Sequence, residues 1–396
     1  MTMRTPCLLG LALSLFAATA SAFASSIVDG VLVGKTAGGR STYTPTGKYT
    51  SQLQTYIDAA YKPVPGPGGE WSTHSWINAT NMRSLQLTGD YLADVPLRLP
   101  SLFVLKLDGT MRPAPNISLN VSRFTGMVEL KNVRYSAVVG GRYDATGLPM
   151  PLPEGSRGWQ SIAVVGSTHC AVRGVRALAN NSGAAIGITA GGHVEVSFCD
   201  VGADNGGPRT NGRAIWSLAT SHNIVHDNHI HNSTSHSLDF DAYTGTSVAY
   251  NNLCEYCSQE GIFVEESAHD NFIFNNTCAN NGNGIGLYSN AVGPVTNNKV
   301  IGNVLRDNLG TGISAGGYGH SDPHHKGLTA SVANTFASNV FINNGGGNHD
   351  GQANVHHGET SGDLWTSNTF ESSAGVPSYT QWEEHNSSAT VIFDPS

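Results

Sequence analysis

Asp239, Asp241 and Glu265 have the spacing of a reactive carboxylate cluster. The first two lie two residues apart in Leu238-Asp239-Phe240-Asp241, and the third lies 24 residues after Asp241 in Ile262-Phe263-Val264-Glu265. Residues two apart on a strand share a face, so if 24 residues make one turn of a coiled chain, all three acids meet on its outside. Carboxylates this close cannot all ionise freely, and one of them must hold a proton or share a cation. That arrangement suits acid/base work on a leaving oxygen. With strands about 4.8 Å apart and alternate residues about 6.7 Å apart, Asp241 to Glu265 falls near the carboxylate separation of retaining glycosidases, and Asp239 to Asp241 near that of inverting ones.

These three acids are the expected catalytic residues, with Asp241 and Glu265 as the pair and Asp239 assisting. Arg213, His236, Glu260 and Glu266 crowd the same register, and Trp216, Phe263 and Tyr288 flank it with flat apolar faces suited to sugar rings. These seven are assigned to substrate binding. Only 13% of the chain is charged, yet Glu255 to Asp270 holds five of its 29 acidic residues, a density that an indifferent solvent-facing surface does not require.

The elements that position such a cluster are repeats. Apolar runs recur at Ile162, Ile186, Ile215, Leu238, Ile262, Ile285 and Ile313, at intervals of 24, 29, 23, 24, 23 and 28. Strand-sized runs at this period, broken by Gly and Asn, are what a parallel β-solenoid needs, because each turn must return to the same place. Taking the run starts as interior puts Ile215, Leu238, Ile262 and Ile285 in one inner layer and Ser217, Phe240, Val264 and Leu287 in the next. Trp216, Asp239 and Phe263, then Leu218, Asp241, Glu265 and Tyr288, face outward. Counting from the same starts gives a column of Asn228, Asn251, Asn275 and Asn298, expected as a buried amide ladder, and a column of His169, His193, His222 and His269, expected to stack.

The repeat Ile262-Phe263-Val264, Asn271-Phe272-Ile273-Phe274-Asn275-Asn276 and Gly284-Ile285 resembles the parallel β-helix of the pectin-lyase-like superfamily, over roughly Leu85 to Phe370. Leu105-Lys106-Leu107-Asp108-Gly109-Thr110 resembles the early turns of polygalacturonase-like helices. The resemblance implies an all-β, single-stranded right-handed parallel β-helix, and by analogy a carbohydrate-active enzyme. A glycoside hydrolase acting on a cell-wall or matrix polysaccharide, with no cofactor, is the first expectation. In β-helical pectate lyases, acids on neighbouring turns bind Ca²⁺ beside a basic residue that removes a proton. Asp239, Asp241 and Glu265 match that pattern as Ca²⁺ ligands, with Arg213 as the nearby base, since Lys299 and Arg306 project from other faces. Asp322-Pro323-His324 resembles part of a motif of mannuronan C5-epimerases, although His325 stands where an Asp is expected. A non-catalytic glycan-binding β-helix is the remaining alternative.

The rest of the chain fits a secreted protein. Arg4 precedes an apolar run from Cys7 to Ala18 and small residues up to Ala24, so residues 1–24 read as a signal peptide, leaving five of the six cysteines and no membrane segment. Residues 25–69 form an N-terminal segment in which Thr50 to Tyr61, with Leu53, Tyr56, Ile57 and Ala60 at helical spacing, caps the solenoid. Residues 70–396 are the β-helix, with excursions at Gly147 to Gly158 and Gly316 to Gly327 and irregular final turns after Gly345. With 21 Lys and Arg against 29 Asp and Glu and no basic run, a nucleic-acid partner is excluded. The partner is a polysaccharide or oligosaccharide, and the protein is expected to be a monomer. Sequons begin at Asn78, Asn116, Asn120, Asn180, Asn232, Asn275 and Asn386, the ladder being expected to bury Asn275. Cys254 and Cys278 share an offset on adjacent turns, within reach of a disulfide.

Overall fold

The computed structural model describes residues 24–28, 31–33, 48–60, 83–115, 117, 124–146, 159–178, 183–202, 212–290, 292–317, 331–345, 353–358, 360–371 and 380–385. Successive short strands are dealt in rotation to three sheets of 13, 11 and 11 strands. Ile215–Leu218 lies in the third sheet, Ile224–His226 in the first and His229–His231 in the second, and Leu238–Asp241 then returns to the third. A strand of only three or four residues cannot bury a face alone, so each is stabilised by the turns above and below it.

Backbone register matches the run starts. Ile162, Ile186, Ile215, Leu238, Ile262, Ile285 and Ile313 are consecutive partners along the third sheet, and all are fully buried. Ser217, Phe240, Val264 and Leu287 form the second inner layer as expected. Among the described residues the helix is Thr50–Ala60, which buries Leu53, Tyr56 and Ile57 against the strands Tyr91–Ala93 and Leu97–Arg98. Its first turn is fixed by Asp94, which accepts from the Ser51 amide at 2.9 Å and the Ser51 hydroxyl at 2.6 Å, a carboxylate at the positive end of a helix.

The Asn and His columns differ from the count. Asn251 and Asn275 are exposed and sit at left-handed corners, with φ of 54° and 53°. The ladder keeps Asn228 as expected, runs one residue later in the next two turns through Asn252 and Asn276, and continues through Asn303, Asn339 and Asn368, the side-chain oxygen of each from Asn252 on accepting from the side-chain amide of the rung before it. Asn298 belongs to another ladder, with Asn271 and Asn334. The cause is a longer corner in each turn from Leu238 on: Ile224 lies nine residues after Ile215, but its register partners Val248 and Phe272 lie ten after Leu238 and Ile262, and Lys299 lies fourteen after Ile285. His269 is displaced for the same reason. His169, His193 and His222 stack at 4.7 Å per step, whereas His269 bridges Gly245, one position earlier.

The lost period after Gly345 does not end the coil, because Ala353–Gly358, Leu364–Thr366 and Thr369–Glu371 join the three sheets in parallel register. Cys254 and Cys278 are register partners but remain free buried thiols, as do Cys170, Cys199 and Cys257. Residues 1–23, the loops at 62–69 and 147–158, the segment 318–330 with His320, Asp322, His324 and His325, and the sequons at Asn78, Asn116, Asn120, Asn180 and Asn386 lie outside the described residues.

Candidate active site

The third sheet carries the acids outward on adjacent strands. Trp216 pairs with Asp239 and Leu218 with Asp241 on one side of Leu238–Asp241, and Asp239 pairs with Phe263 on the other. Glu265 in turn pairs with Tyr288. Asp239, Asp241 and Glu265 thus bring carboxylate oxygens within 4.8 Å of one another, although their exposures are only 0%, 3% and 5%.

Arg213 closes the cluster. Its guanidinium donates to Asp239, donates to Glu265 Oε1 at 3.0 Å and lies 3.7 Å from Asp241 Oδ2. Asp241 accepts on both oxygens, from Trp216 Nε1 at 2.8 Å and from the Ala242 amide at 2.6 Å. One Asp239 oxygen, Oδ1, is buried with no hydrogen-bond partner among the described residues. Burial is the main force that pushes Glu265 up to about 7, reinforced by the charge of Asp241 and opposed by Arg213. Burial likewise raises Asp239 well above the carboxylate range, with Arg213 opposing and Glu265 and Asp241 adding to it. The same three acids drive Arg213 above its ordinary value against the cost of its own burial.

The neighbours expected to touch substrate turn largely toward the cluster itself. His236 Nδ1 lies 2.8 Å from Glu260 Oε2, and Asn283 donates to Glu260 Oε1 at 3.1 Å. Burial opposes ionisation of Glu260, but these partners hold its carboxyl below its ordinary value. Phe263 stacks on His236 at 4.2 Å and tilts against Tyr288 at 5.4 Å, while Trp216 packs on Phe124 at 5.5 Å and under the Arg213 guanidinium at 5.2 Å. Trp216 and Phe263 are each 2% exposed, so they are packing groups rather than an open platform. Tyr288, half-buried, gives its hydroxyl to Ser314 at 2.7 Å, and Glu266 accepts from Asn290 at 2.7 Å.

Asn283, Asn290, Ser314 and Gly286 escape a reading by residue type, because nothing about a lone amide or glycine marks it. Register would have found them. Gly286 sits opposite Phe263, where an added Cβ would lie 2.7 Å from the Tyr288 ring and 2.8 Å from Glu260, so the aromatic packing depends on it.

Residues 156–305 match the family described as the right handed beta helix region. The chain is a right-handed parallel β-helix protein. Solved structures share this β-helix at low identity. Polygalacturonase from Erwinia carotovora ssp. carotovora is 10% identical, with a TM-score of 0.57 over 78% of this chain and 89% of its own. The tailspike protein of E. coli bacteriophage HK620, in complex with a pentasaccharide, is 13% identical, with a TM-score of 0.55 over 87% and 62%. The Dettilon tailspike is 16% identical, with a TM-score of 0.52 over 73% of this β-helix, which spans only 56% of that protein. Comparison with curated proteins finds no match.

Proposed function

We propose that this β-helix is a secreted glycoside hydrolase that cleaves a cell-wall or matrix polysaccharide. The observation that carries the reading is the convergence of Asp239, Asp241 and Glu265 around one guanidinium, which leaves three buried carboxyls facing a single cation. At neutral pH such a set retains protons, held between Asp239, raised well above the carboxylate range, and Glu265, pushed up to about 7. Glu265 then serves as general acid to the leaving glycosidic oxygen. Asp241, oriented by Trp216 and Ala242, presents its carboxylate to the sugar or to a water. Asp239 holds Arg213 in place from beneath.

Elimination assisted by Ca²⁺ is less well supported. It needs a base that is unprotonated near neutral pH and can take the substrate's proton, and Arg213 is raised and committed to all three acids. The guanidinium also sits where a cation shared by these oxygens would sit. The two polygalacturonase and tailspike neighbours concern polysaccharides or oligosaccharides, which is consistent with a glycan partner. A polysaccharide panel, read in parallel for new reducing ends and for unsaturated uronate absorbance with and without chelator, tests the reading. Reducing ends without unsaturation support hydrolysis. Chelator-sensitive unsaturated products would replace it with a lyase, and saturable oligosaccharide binding without turnover would replace it with a glycan-binding module.

A further inference from the structure

A second cluster lies on the second sheet, away from the carboxylates. His229 and His231 are alternate residues of the strand His229–His231, with Ile230 fully buried between them, so both imidazoles stand on the outer face. Their ring centroids are 4.5 Å apart. The strand before contributes Asp200, whose Oδ1 lies 2.6 Å from His231 Nε2, and the strand after contributes Glu255, whose Oε1 lies 2.8 Å from His229 Nε2. One donor atom each from Asp200, His229 and His231 falls within 4.8 Å of the other two.

The geometry points to a divalent-cation site of the zinc class, with His229, His231 and Asp200 as ligands and Glu255 as the fourth donor or the orienting partner. Two imidazoles and a carboxylate are the ligand types that suit zinc, nickel or copper rather than calcium. Rigid placement comes from the sheet, since Asp200 is the register partner of His229 and Glu255 that of His231. Opposite His231 stands Gly202, where an added Cβ would lie 1.9 Å from the His231 carbonyl oxygen and 3.1 Å from its ring Nδ1. A side chain there would displace the ligand. The donors line a cleft of about 180 Å³ together with Arg176, Asn232 and Tyr256, so the ion would keep a position open to solvent. Asp200 and Glu255 outnumber the one guanidinium of Arg176, which lies 3.6 Å from Asp200, and the site's charge therefore favours a cation.

Calorimetric titration of the full-length secreted protein with Zn²⁺ tests the site, with Co²⁺ as the spectroscopic probe. One saturable equivalent is expected, with Co²⁺ d–d bands and no thiolate charge transfer, which separates the site from the buried cysteines. His229→Ala, Asp200→Asn and the double variant His229→Ala/His231→Ala should each weaken that equivalent at least ~10-fold, the low end for partners of a metal site. Glu265→Gln, on the other sheet, should leave it unchanged. His229 is surface-exposed, so its replacement tests binding without threatening the core, and circular dichroism checks the double variant. Absence of a saturable equivalent, or its persistence in a folded double variant, overturns the site.

Discussion

Trp216 donates its indole Nε1–H to Asp241 Oδ2 at 2.8 Å, running diagonally, since its direct register partner is Asp239. Sequence spacing alone would have paired it with the wrong acid. A hydrogen bond to a charged acceptor is worth about 1.5–3 kcal/mol. Trp216→Phe keeps the aromatic packing but removes the donor, so kcat on the panel-identified substrate should fall roughly 10- to 100-fold. A kcat equal to the parent protein's would remove Asp241 from the chemistry.

Glu265 makes a pH prediction with a definite sign. Its ordinary value is 4.5 and the folded protein pushes it up to about 7, with burial first among the causes. Between those values the native state holds a proton that the unfolded chain has released, so stability falls as pH rises through the window and levels off above it. Tm measured from pH 4 to 8 should therefore decline more steeply in the parent protein than in Glu265→Gln. In the hydrolytic reading the same proton is the one delivered to the leaving oxygen, so kcat/KM should also drop above about pH 7. Superimposable Tm profiles for the two proteins would mean that Glu265 ionises normally.

The interior was legible because it obeys one rule at every turn. Ile215, Leu238, Ile262 and Ile285 must point inward for the coil to bury anything, and their spacing absorbs insertions only outside the strand. Corners follow no such rule. One added residue in the corner after Asp241 and another in the corner after Glu265 place the amide rungs at Asn252 and Asn276 rather than Asn251 and Asn275, and nothing in the strand spacing announces them. The doublets Asn251-Asn252 and Asn275-Asn276 did carry the signal. The first residue of each takes the left-handed corner that Asn tolerates, and the second takes the buried rung. The acids were visible by type and register, but the burial of Trp216 and Phe263 was not, because it depends on rings brought in from Phe124 and His236.

That distinction yields a stability test. Asn276→Ala removes a rung whose side chain bonds Asn303 at 3.1 Å and the Ala249 carbonyl at 3.0 Å, leaving buried partners unpaired at about 1–3 kcal/mol. Asn275→Gly touches an exposed corner whose backbone angle glycine adopts freely. Denaturant titration should show a clear loss for the first and almost none for the second. Equal losses would place the corner residue in the ladder after all.

Arg213 should control both the fold of the site and its protonation. It is the cation shared by Asp239, Asp241 and Glu265, and these acids are at most 5% exposed. Removing one partner of a buried ionic network is costly, typically about 3–5 kcal/mol, because the remaining charges are left uncompensated. Arg213→Gln can lower that cost only by keeping more protons on the acids. Since the guanidinium opposes the upward push on Glu265, its loss should carry that carboxyl still higher, toward the alkaline side of about 7. The expected result is a less stable protein whose alkaline decline in kcat/KM moves to higher pH, the two effects appearing together. A destabilised protein with an unmoved pH profile would make Arg213 a structural strut, and the proton on Glu265 would then need another explanation.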